Sequence, residues 1–432
     1  MSKMKQKVIL IVALSCLAWG RSTAQTLPEH IKNVTAVSSV FGDGQKVKTV
    51  VVEYDYPINT RSLSTTTFAI EGREILRTYA NTEAAIADKG RNGRFVVIEL
   101  HAETDMNAQP RQQTPADEEK KQERDRMMGG PGLRAGWSTG GDDSYTDSLI
   151  IVQQGIIKTT DGKKYGATAA FTSTVNQCLV ADDFTQHEFI SPFTGQSLPY
   201  NLFLPRDYDP SRNYPLVLFI HDAGVATSPV RSPLLQGRGA VAWAEPEWQG
   251  EHPCIVVAPE YPVIIVDDNW NYSHHLDATI ALLKDLQTRY SVDSHRIYTT
   301  GQSMGCMSSM VMMLKEPDLF AGALLVAGKW TPEILAPLAK QNIWIISCEG
   351  DKSSTELQNK AAALWRDGGN TVVEGTWNML STPDEFADGV QSMVTDGVHL
   401  YYSHLTGGSH RATWFVAYDI VGVREWLFKQ VK

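Results

Sequence analysis

The pattern of hydrophobic and polar positions divides the chain into two parts with different predicted folds. Residues 27–180 contain short apolar-rich stretches separated by turn residues, beginning with Val34–Phe41 and Thr49–Tyr56 on either side of Gly42-Asp43-Gly44. Glycine and aspartate supply the backbone angles of a tight hairpin, and closely spaced short strands are typical of a β-sandwich. We therefore predict a β-sandwich, and this part contains no convincing catalytic motif. Its further predicted strands are Thr67–Glu71, Glu74–Tyr79, Arg94–Leu100 and Ser148–Ile157.

The pattern changes in residues 184–432. Pro215–Ile220 and Cys254–Pro259 are continuous apolar runs, as expected for parallel strands that are buried on both faces. Asp277–Tyr290 carries its apolar residues at helical spacing instead. Strands that alternate with helices predict a mostly parallel sheet flanked by helices. Further predicted strands are Arg296–Thr300, Ala321–Ala327, Asn342–Cys348 and Thr371–Thr376, and the predicted closing helix is Val421–Lys432.

Residues 104–143 interrupt the first part with a stretch rich in Gln, Glu, Lys, Arg, Pro and Gly. Such a segment buries too little apolar surface to offset the entropy lost when it is ordered. We expect a mobile loop inserted between two strands of the sandwich, with a short helix over Ala116–Met128 as the alternative.

The N-terminus has the pattern of an export signal. Three lysines lie in the first seven residues, the apolar run Val8–Leu17 follows, and Ser22-Thr23-Ala24 offers a small-residue cleavage site. The apolar run is too short for an ordinary spanning helix, and no later segment is long and apolar enough to span a bilayer. We predict a signal peptide over residues 1–24 and a secreted or periplasmic protein. An uncleaved anchor and a lipoprotein attached through Cys16 are the alternatives.

Charge and cysteine content exclude several classes of function. The formal net charge is −10 and there is no long basic run, which argues against a nucleic-acid partner. Four cysteines remain after the predicted cleavage, and none forms a CxxC pair, so a zinc or dithiol site is not expected. No metal or organic cofactor is implied. The sequence does not decide whether two of these cysteines form a disulfide. These cysteines are Cys178, Cys254, Cys306 and Cys348.

The strongest chemical signal is Gly301-Gln302-Ser303-Met304-Gly305, which fits G-x-S-x-G. It follows the predicted strand Arg296–Thr300 and precedes the helix-like stretch Cys306–Leu314, and this strand–turn–helix context gives the motif its meaning in α/β-hydrolases. The turn places the serine over the amino end of a helix, where developing negative charge is favoured. We predict Ser303 as a nucleophile.

A serine nucleophile needs a base, which in α/β-hydrolases follows it along the chain after an acid. Of eleven histidines, only His399, His404 and His410 follow Ser303. His399 and His404 lie in a strand-like run, whereas His410 follows a Gly-rich loop and precedes the last helix. We predict His410 as the base, with His404 as the alternative.

The acid is expected on a loop after a strand that lies between the serine and the histidine. Asn342–Cys348 is such a strand, and Asp351 follows it, with Glu349 as the local alternative. Asp351 would hold the tautomer of the imidazole and stabilise the imidazolium. Three later acidic residues lie in a helix-like segment and are predicted to be surface charges: Asp384, Glu385 and Asp388.

An oxyanion hole needs two backbone N–H donors. One is expected from Met304, directly after the nucleophile, and the other from the loop His221-Asp222-Ala223-Gly224 after an early strand. We therefore predict Asp222 and Ala223 as the second part of this hole.

These residues together resemble a family of secreted bacterial carboxylesterases, related to predicted peptidases of the α/β-hydrolase superfamily, that carry an N-terminal immunoglobulin-like (Ig-like) domain. The resemblance covers nearly the whole mature chain and is most specific from Arg296-Ile297-Tyr298 through the elbow to Pro317–Ala321. It implies an Ig-like domain over residues 27–180, a catalytic domain over residues 184–432, and a triad of Ser303, Asp351 and His410. Other matching pieces are Val34–Val37, Tyr54-Asp55, Leu198–Tyr200, Leu204-Pro205, Tyr208–Pro210, Tyr214–Val217, Arg238–Val241, Trp243-Ala244 and Val257–Pro259.

The chain departs from the family pattern at three places near the predicted site. Asp222 replaces a glycine beside the oxyanion hole, Cys306 replaces a second glycine after the elbow, and Lys352–Ser354 replace the usual residues after the acid.

The leading hypothesis is hydrolysis of a carboxylic ester through an acyl-serine intermediate. The substrate would be a small or carbohydrate-linked ester, and Trp243, Trp248 and Trp270 are candidates to line its site. The alternatives are a serine peptidase of the same fold and a catalytically silent binding protein, since fold alone does not fix function.

Overall fold

The structure is a computed structural model in which residues 27–108 and 149–432 are described. The predicted signal peptide with Cys16, residues 109–143 of the predicted insertion and the alternative helix there lie outside the described residues. The described chain forms two compact units. One consists of residues 27–39, 46–103 and 149–179, and the other of residues 40–45, 104–108 and 180–432.

The first unit is built from strands, as its closely spaced short apolar stretches predict. Its main sheet has the order β4-β5-β2-β1-β9, with β1 and β9 parallel and β2, β5 and β4 antiparallel. Val50 and Val52 on β2 and Val96 and Ile98 on β5 belong to one buried cluster. Val51 and Val97 between them belong to a second one, so both faces of these strands are buried here. The strands are β1 (Ile31–Phe41), β2 (Gly44–Ile58), β3 (Phe68–Ile70), β4 (Ile75–Asn81), β5 (Gly93–Leu100), β6 (Ile151–Gln153), β7 (Ile157–Lys158), β8 (Lys164–Tyr165) and β9 (Val175–Cys178).

The single strand predicted over Ser148–Ile157 is wrong. The structure has two short strands there, β6 paired with β3 and β7 paired with β8. The backbone N–H groups of Gln154 and Gly155 both donate to the carbonyl of Thr67, at 2.9 and 3.0 Å. Two successive N–H groups bound to one oxygen break the alternation that a continuous strand requires.

The second unit contains a nine-stranded sheet with the order β10-β11-β13-β12-β14-β15-β16-β18-β17. Strand β11 pairs antiparallel with both β10 and β13, and the other neighbouring strands pair parallel. Every residue of β12, β13, β15 and β16 is buried, which explains their continuous apolar sequences. The strands are β10 (Thr185–Ile190), β11 (Ser197–Phe203), β12 (Tyr214–Ile220), β13 (Ile255–Pro259), β14 (Val292–Gln302), β15 (Gly322–Val326), β16 (Ile343–Cys348), β17 (Val372–Asn378) and β18 (Leu400–Thr406).

Helices connect the parallel strands of this unit. Two of them begin directly after the segments that the sequence singled out, at Met304 after Ser303 and at Lys352 after Asp351. The helices are α1 (Ser232–Leu235), α2 (Arg238–Val241), α3 (Pro246–Glu251), α4 (His275–Arg289), α5 (Met304–Lys315), α6 (Pro332–Leu335), α7 (Lys352–Asp367), α8 (Pro383–Met393), α9 (Ala412–Ala417) and α10 (Val421–Phe428). Among the described residues, none of the helices has the length and apolar content needed to cross a membrane.

The carboxyl edge of the parallel sheet is where chemistry is expected, because loops from neighbouring strands converge there. The elbow follows β14, which pairs with β12 so that Ile220 lies opposite Gly301. The loops after β16 and β18 carry Asp351 and His410, and these two strands are direct neighbours.

Two of the three tryptophans proposed from the sequence to line a substrate site belong to the core. Trp243 and Trp248 are buried and pack against Phe428, with ring centroids 5.7 and 5.0 Å away. The guanidinium of Arg424 lies 4.5 Å from the centroid of the Trp248 ring. Trp243 and Trp248 are therefore core residues. Of the three tryptophans, only Trp270 is partly exposed.

Candidate active site

Ser303 has a strained backbone conformation at the turn between β14 and α5. Its φ is +53° and its ψ is −115°, a region that non-glycine residues rarely adopt. Its N–H donates to the carbonyl of Val326 at 3.0 Å, and its carbonyl accepts from the N–H of Met307 at 3.1 Å. These bonds to β15 and α5 hold the sharp turn that projects the hydroxyl at the edge of the sheet.

The two glycines of the motif allow β12 to pack directly on the elbow. A methyl group on Gly305 would overlap the carbonyl oxygen of Ile220, and one on Gly301 would lie 2.7 Å from the same oxygen. Gly305 is also close to the carbonyl of His221, so the elbow touches the start of the predicted oxyanion loop.

Replacing Gly305 with alanine is expected to destabilise the fold by about 1–3 kcal/mol, because the added methyl group forces β12 away from the elbow. The same displacement should lower any turnover that depends on Ser303 at least about tenfold, since misplaced catalytic groups are costly. Urea unfolding and p-nitrophenyl acetate hydrolysis measure both effects. Gly250→Ala in α3 is the control, because nothing lies within 4 Å of its added methyl group. Equal stability of Gly305→Ala and the parent would contradict the packing argument.

The side chains of Ser303, His410 and Asp351 form one hydrogen-bonded chain. Nε2 of His410 lies 3.0 Å from Oγ of Ser303, and Nδ1 of His410 is hydrogen-bonded to Oδ2 of Asp351. A carboxylate oxygen only accepts, so the proton of the neutral imidazole lies on Nδ1 and the lone pair of Nε2 faces the hydroxyl. His410 is 43% exposed and Asp351 only 9%, which leaves the imidazole accessible over a buried acid.

Asp351 is held in place by its position at the beginning of α7. Its Oδ1 accepts from the backbone N–H of Ser354 at 3.3 Å, and its own N–H donates to the carbonyl of Cys348 at 3.0 Å. These two bonds fix the position of the Asp351 side chain at the amino end of α7.

The alternatives considered from the sequence make other contacts. Glu349 is exposed and accepts from the N–H of Gly407 at 3.2 Å. The ring of His404 lies 3.9 Å from that of Tyr402, and burial lowers the pKa of His404. Nε2 of His399 lies 2.8 Å from the carbonyl of Ala339. Asp384, Glu385 and Asp388 are exposed on α8.

The predicted oxyanion loop follows β12 and is largely buried. Nδ1 of His221 donates to the carbonyl of Asp222 at 2.7 Å. Oδ1 of Asp222 accepts from the N–H of Gly224 at 2.8 Å, and its Oδ2 accepts from Nε2 of Gln302 at 3.2 Å. Burial raises the pKa of Asp222, and the bond from Gln302 opposes that rise. The side chain that replaces a family glycine is therefore 5% exposed and tied to its own loop and to the elbow.

Met304 is the first residue of α5, so its backbone N–H has no partner within the helix. It is thus a donor at the amino end of a helix, directly after Ser303. Cys306, the second departure from the family pattern, packs beneath the loop after β15, because a methyl group on Gly328 would overlap its thiol. The Cys306 thiol is buried, and burial raises its pKa.

Sequence reasoning missed Glu260, which directly follows β13 and is 3% exposed beside His221. Its sequence context, an acidic residue after a strand, is that of an ordinary loop charge. It also missed Gly350 and Gly408, where the acid and histidine loops approach so closely that a methyl group on Gly350 would overlap the carbonyl of Gly408. Glycines in both loops were the available signal for this contact.

In a comparison with known protein families, each of the two parts of the chain matches a family model. Residues 33–166 match the family model described as "Esterase Ig-like N-terminal domain", and residues 266–417 match the one described as "Putative esterase". The crystal structure of a thermostable esterase is similar over 93% of this chain and all of that chain, with 26% identity and a TM-score of 0.73. A search of curated proteins found no match.

Two other solved structures are less similar to this chain. A feruloyl esterase module from Clostridium thermocellum, solved with sinapinate, covers 57% of this chain and 88% of its own, at 14% identity and a TM-score of 0.39. A ferulic acid esterase from Anaeromyces mucronatus, solved with ferulic acid, covers 55% and 89%, at 12% identity and a TM-score of 0.38. From the two family models and the thermostable esterase, the chain combines an esterase Ig-like N-terminal domain with an esterase domain of the α/β-hydrolase fold, and it is a serine hydrolase of the carboxylesterase type.

Proposed function

We propose that the protein hydrolyses carboxylic esters through an acyl intermediate on Ser303, with His410 as the general base and acid and Asp351 as the group that orients His410. The observation that carries this proposal is the continuous hydrogen-bonded chain from the buried carboxylate to the serine hydroxyl. A hydroxyl is a weak nucleophile at neutral pH, and a positioned base of this kind activates it.

The reaction proceeds in two steps, formation of the acyl-serine and its hydrolysis. Oγ of Ser303 bonds to the ester carbonyl carbon as its proton passes to Nε2 of His410, and the alcohol then leaves with that proton. A water molecule next gives a proton to Nε2 as its oxygen bonds to the acyl carbon. The bond from that carbon to Oγ then breaks, Oγ takes the proton back from Nε2, and the carboxylic acid is released. The carboxylate of Asp351 stabilises the imidazolium in both steps and keeps Nε2 directed at the reacting oxygen.

The negative charge of the tetrahedral intermediate would be held by the backbone N–H groups of Met304 and of the Asp222–Ala223 loop. The position of Met304 at the start of α5 supports the first donor. The bonds that fix the Asp222 side chain support the second, because the carboxylate is engaged by Gly224 and Gln302. With Asp222 tied back and Cys306 packed below the loop, neither departure from the family pattern argues for a silent binding protein.

The substrate we favour is a small or carbohydrate-linked ester. Trp270 is partly exposed, has a positive φ of 66°, and its ring lies 5.3 Å from that of Trp330 in an edge-to-face pair. Trp330 follows Gly328 in the loop after β15, at the same edge as Ser303. Turnover of acetyl esters, feruloyl sugars and peptidyl amides tests this class, and faster cleavage of the amides than of the esters would contradict it.

We also propose that the protein is exported with removal of residues 1–24. The basic start, short apolar run and small-residue site support this. The mass of the protein recovered from outside the cytoplasm should correspond to a chain that begins at Gln25, and an intact N-terminus or a lipid-modified Cys16 would contradict it.

Replacing Asp351 with asparagine is expected to lower kcat about 10⁴-fold, because an amide that donates to Nδ1 selects the wrong imidazole tautomer. Stability should change little, since the amide oxygen can still accept from the N–H of Ser354. The assay is p-nitrophenyl acetate hydrolysis, with Asp384→Asn on the exposed face of α8 as the matched control. A folded Asp351→Asn protein with the parent's kcat would exclude Asp351 as the orienting acid.

A further inference from the structure

His221 and Glu260 form a buried pair next to the predicted oxyanion loop. Oε2 of Glu260 lies 3.2 Å from Nε2 of His221, and the side chains are 3% and 0% exposed. Oε1 of Glu260 accepts from the backbone N–H of Ser228 at 3.0 Å. The pair connects the loop after β13 to the loop after β12.

The partners of the His221 ring determine where its proton lies. Nδ1 faces the carbonyl oxygen of Asp222 at 2.7 Å, and a carbonyl can only accept, so Nδ1 carries a proton. Nε2 lies 3.3 Å from the backbone N–H of Tyr261, which can only donate, so Nε2 is the unprotonated nitrogen. His221 is therefore the neutral tautomer with its proton on Nδ1.

This tautomer leaves an unsatisfied contact if Glu260 is ionised. A carboxylate Oε2 would face the lone pair of Nε2, two acceptors 3.2 Å apart, and it would be buried without a donor. A proton on Oε2 converts the same contact into an O–H···N hydrogen bond. An ion pair of His221 with Glu260 would instead place an N–H on Nε2 against the N–H of Tyr261.

The electrostatics of the pair agree with two neutral groups. Burial raises the pKa of Glu260 well above its usual range, and the nearby Asp222 carboxylate raises it further. Hydrogen bonds from the backbone of Ser228 and Thr227 lower this pKa but do not cancel the rise. Burial also lowers the pKa of His221 to about 4. Two charges buried this deeply carry a desolvation cost that the neutral arrangement avoids.

We infer that Glu260 is a neutral carboxylic acid that donates to His221 and thereby positions the backbone N–H of Ala223 for the oxyanion. The peptide bond between Asp222 and Ala223 is trans, so its C=O and N–H point in opposite directions. Because Nδ1 of His221 fixes the C=O, it also fixes the N–H. Glu260 is a positioning residue, and its effect on turnover rests on the proposed function.

The protonation state can be tested without any activity. The infrared difference spectrum of the parent minus Glu260→Gln at neutral pH should contain a carboxylic-acid C=O stretching band. Carboxylate bands in that difference would overturn the inference. This outcome does not depend on whether the protein is an esterase.

The positioning role is tested by turnover in two variants of similar size. Glu260→Gln keeps a donor for Nε2 and an acceptor for the N–H of Ser228, so its kcat should stay within about threefold of the parent. Glu260→Leu has no donor, and its kcat should fall about tenfold to a hundredfold with KM changed less than about threefold, because loss of a whole oxyanion donor costs about 10²–10³. The affinity for a trifluoromethyl ketone, whose adduct carries the oxyanion, should weaken in parallel.

The possible outcomes separate the two proposals. A folded Glu260→Leu protein with the parent's kcat and inhibitor affinity would overturn the positioning role. If Glu260→Leu does not fold, a kcat of Glu260→Gln far below that of the parent contradicts the role, and a retained kcat supports it. A parent protein that binds no trifluoromethyl ketone and cleaves no ester would mean that the proposed function itself has failed.

Discussion

Replacement of Ser303 by alanine is expected to lower kcat/KM for p-nitrophenyl acetate about 10⁶-fold, the scale found when a serine hydrolase loses its nucleophile. The substitution removes only the hydroxyl group. The bonds that hold the elbow are made by the backbone N–H and C=O of Ser303. The strained turn should therefore persist, and the melting temperature should stay close to that of the parent. Ser392→Ala on exposed α8 is the matched control and should keep full activity.

Activity of the purified Ser303→Ala protein close to that of the parent would place the nucleophile elsewhere in the chain. The residual activity must be compared with buffer hydrolysis, because substrate binding and oxyanion donors alone retain some rate enhancement.

Replacement of His410 by alanine is expected to lower kcat to a similar extent, about 10⁶-fold, because the serine then has no base. In the proposed mechanism Ser303 and His410 act as one unit through the 3.0 Å contact between Oγ and Nε2. The double variant should therefore be no less active than either single variant. Steady-state kinetics of the three proteins measures this non-additivity.

His404→Ala is the control that separates the two candidate bases. The His404 ring packs on the ring of Tyr402, with centroids 3.9 Å apart, so its loss should alter stability more than turnover per folded molecule. If His404→Ala loses activity and His410→Ala keeps it, the assignment of the base is wrong.

Much of the fold could be predicted because the positions that are buried in each strand or helix are apolar in the sequence. The fully buried strands β12 and β16 appear as unbroken apolar runs, and α4 appears as an apolar spacing of three to four residues. The boundary between β6 and β7 could not be predicted, because it depends on Thr67, a distant residue that accepts two successive N–H groups.

The residues of the candidate site could be predicted from their order along the chain and from the elements that flank them. Ser303, Asp351 and His410 each lie on a loop after a strand, and the topology of a parallel sheet brings such loops to one edge. Their roles stay predictions until they are tested. The Glu260–His221 pair could not be predicted, because the two residues are separated in sequence and meet only through the pairing of β12 with β13.

The most direct test of the account is to locate the adduct of a fluorophosphonate probe by tandem mass spectrometry of the digested protein. The account predicts one adduct, on Ser303, that forms in the parent and is absent from Ser303→Ala. An adduct on another residue, or equal labelling of the parent and Ser303→Ala, would contradict it.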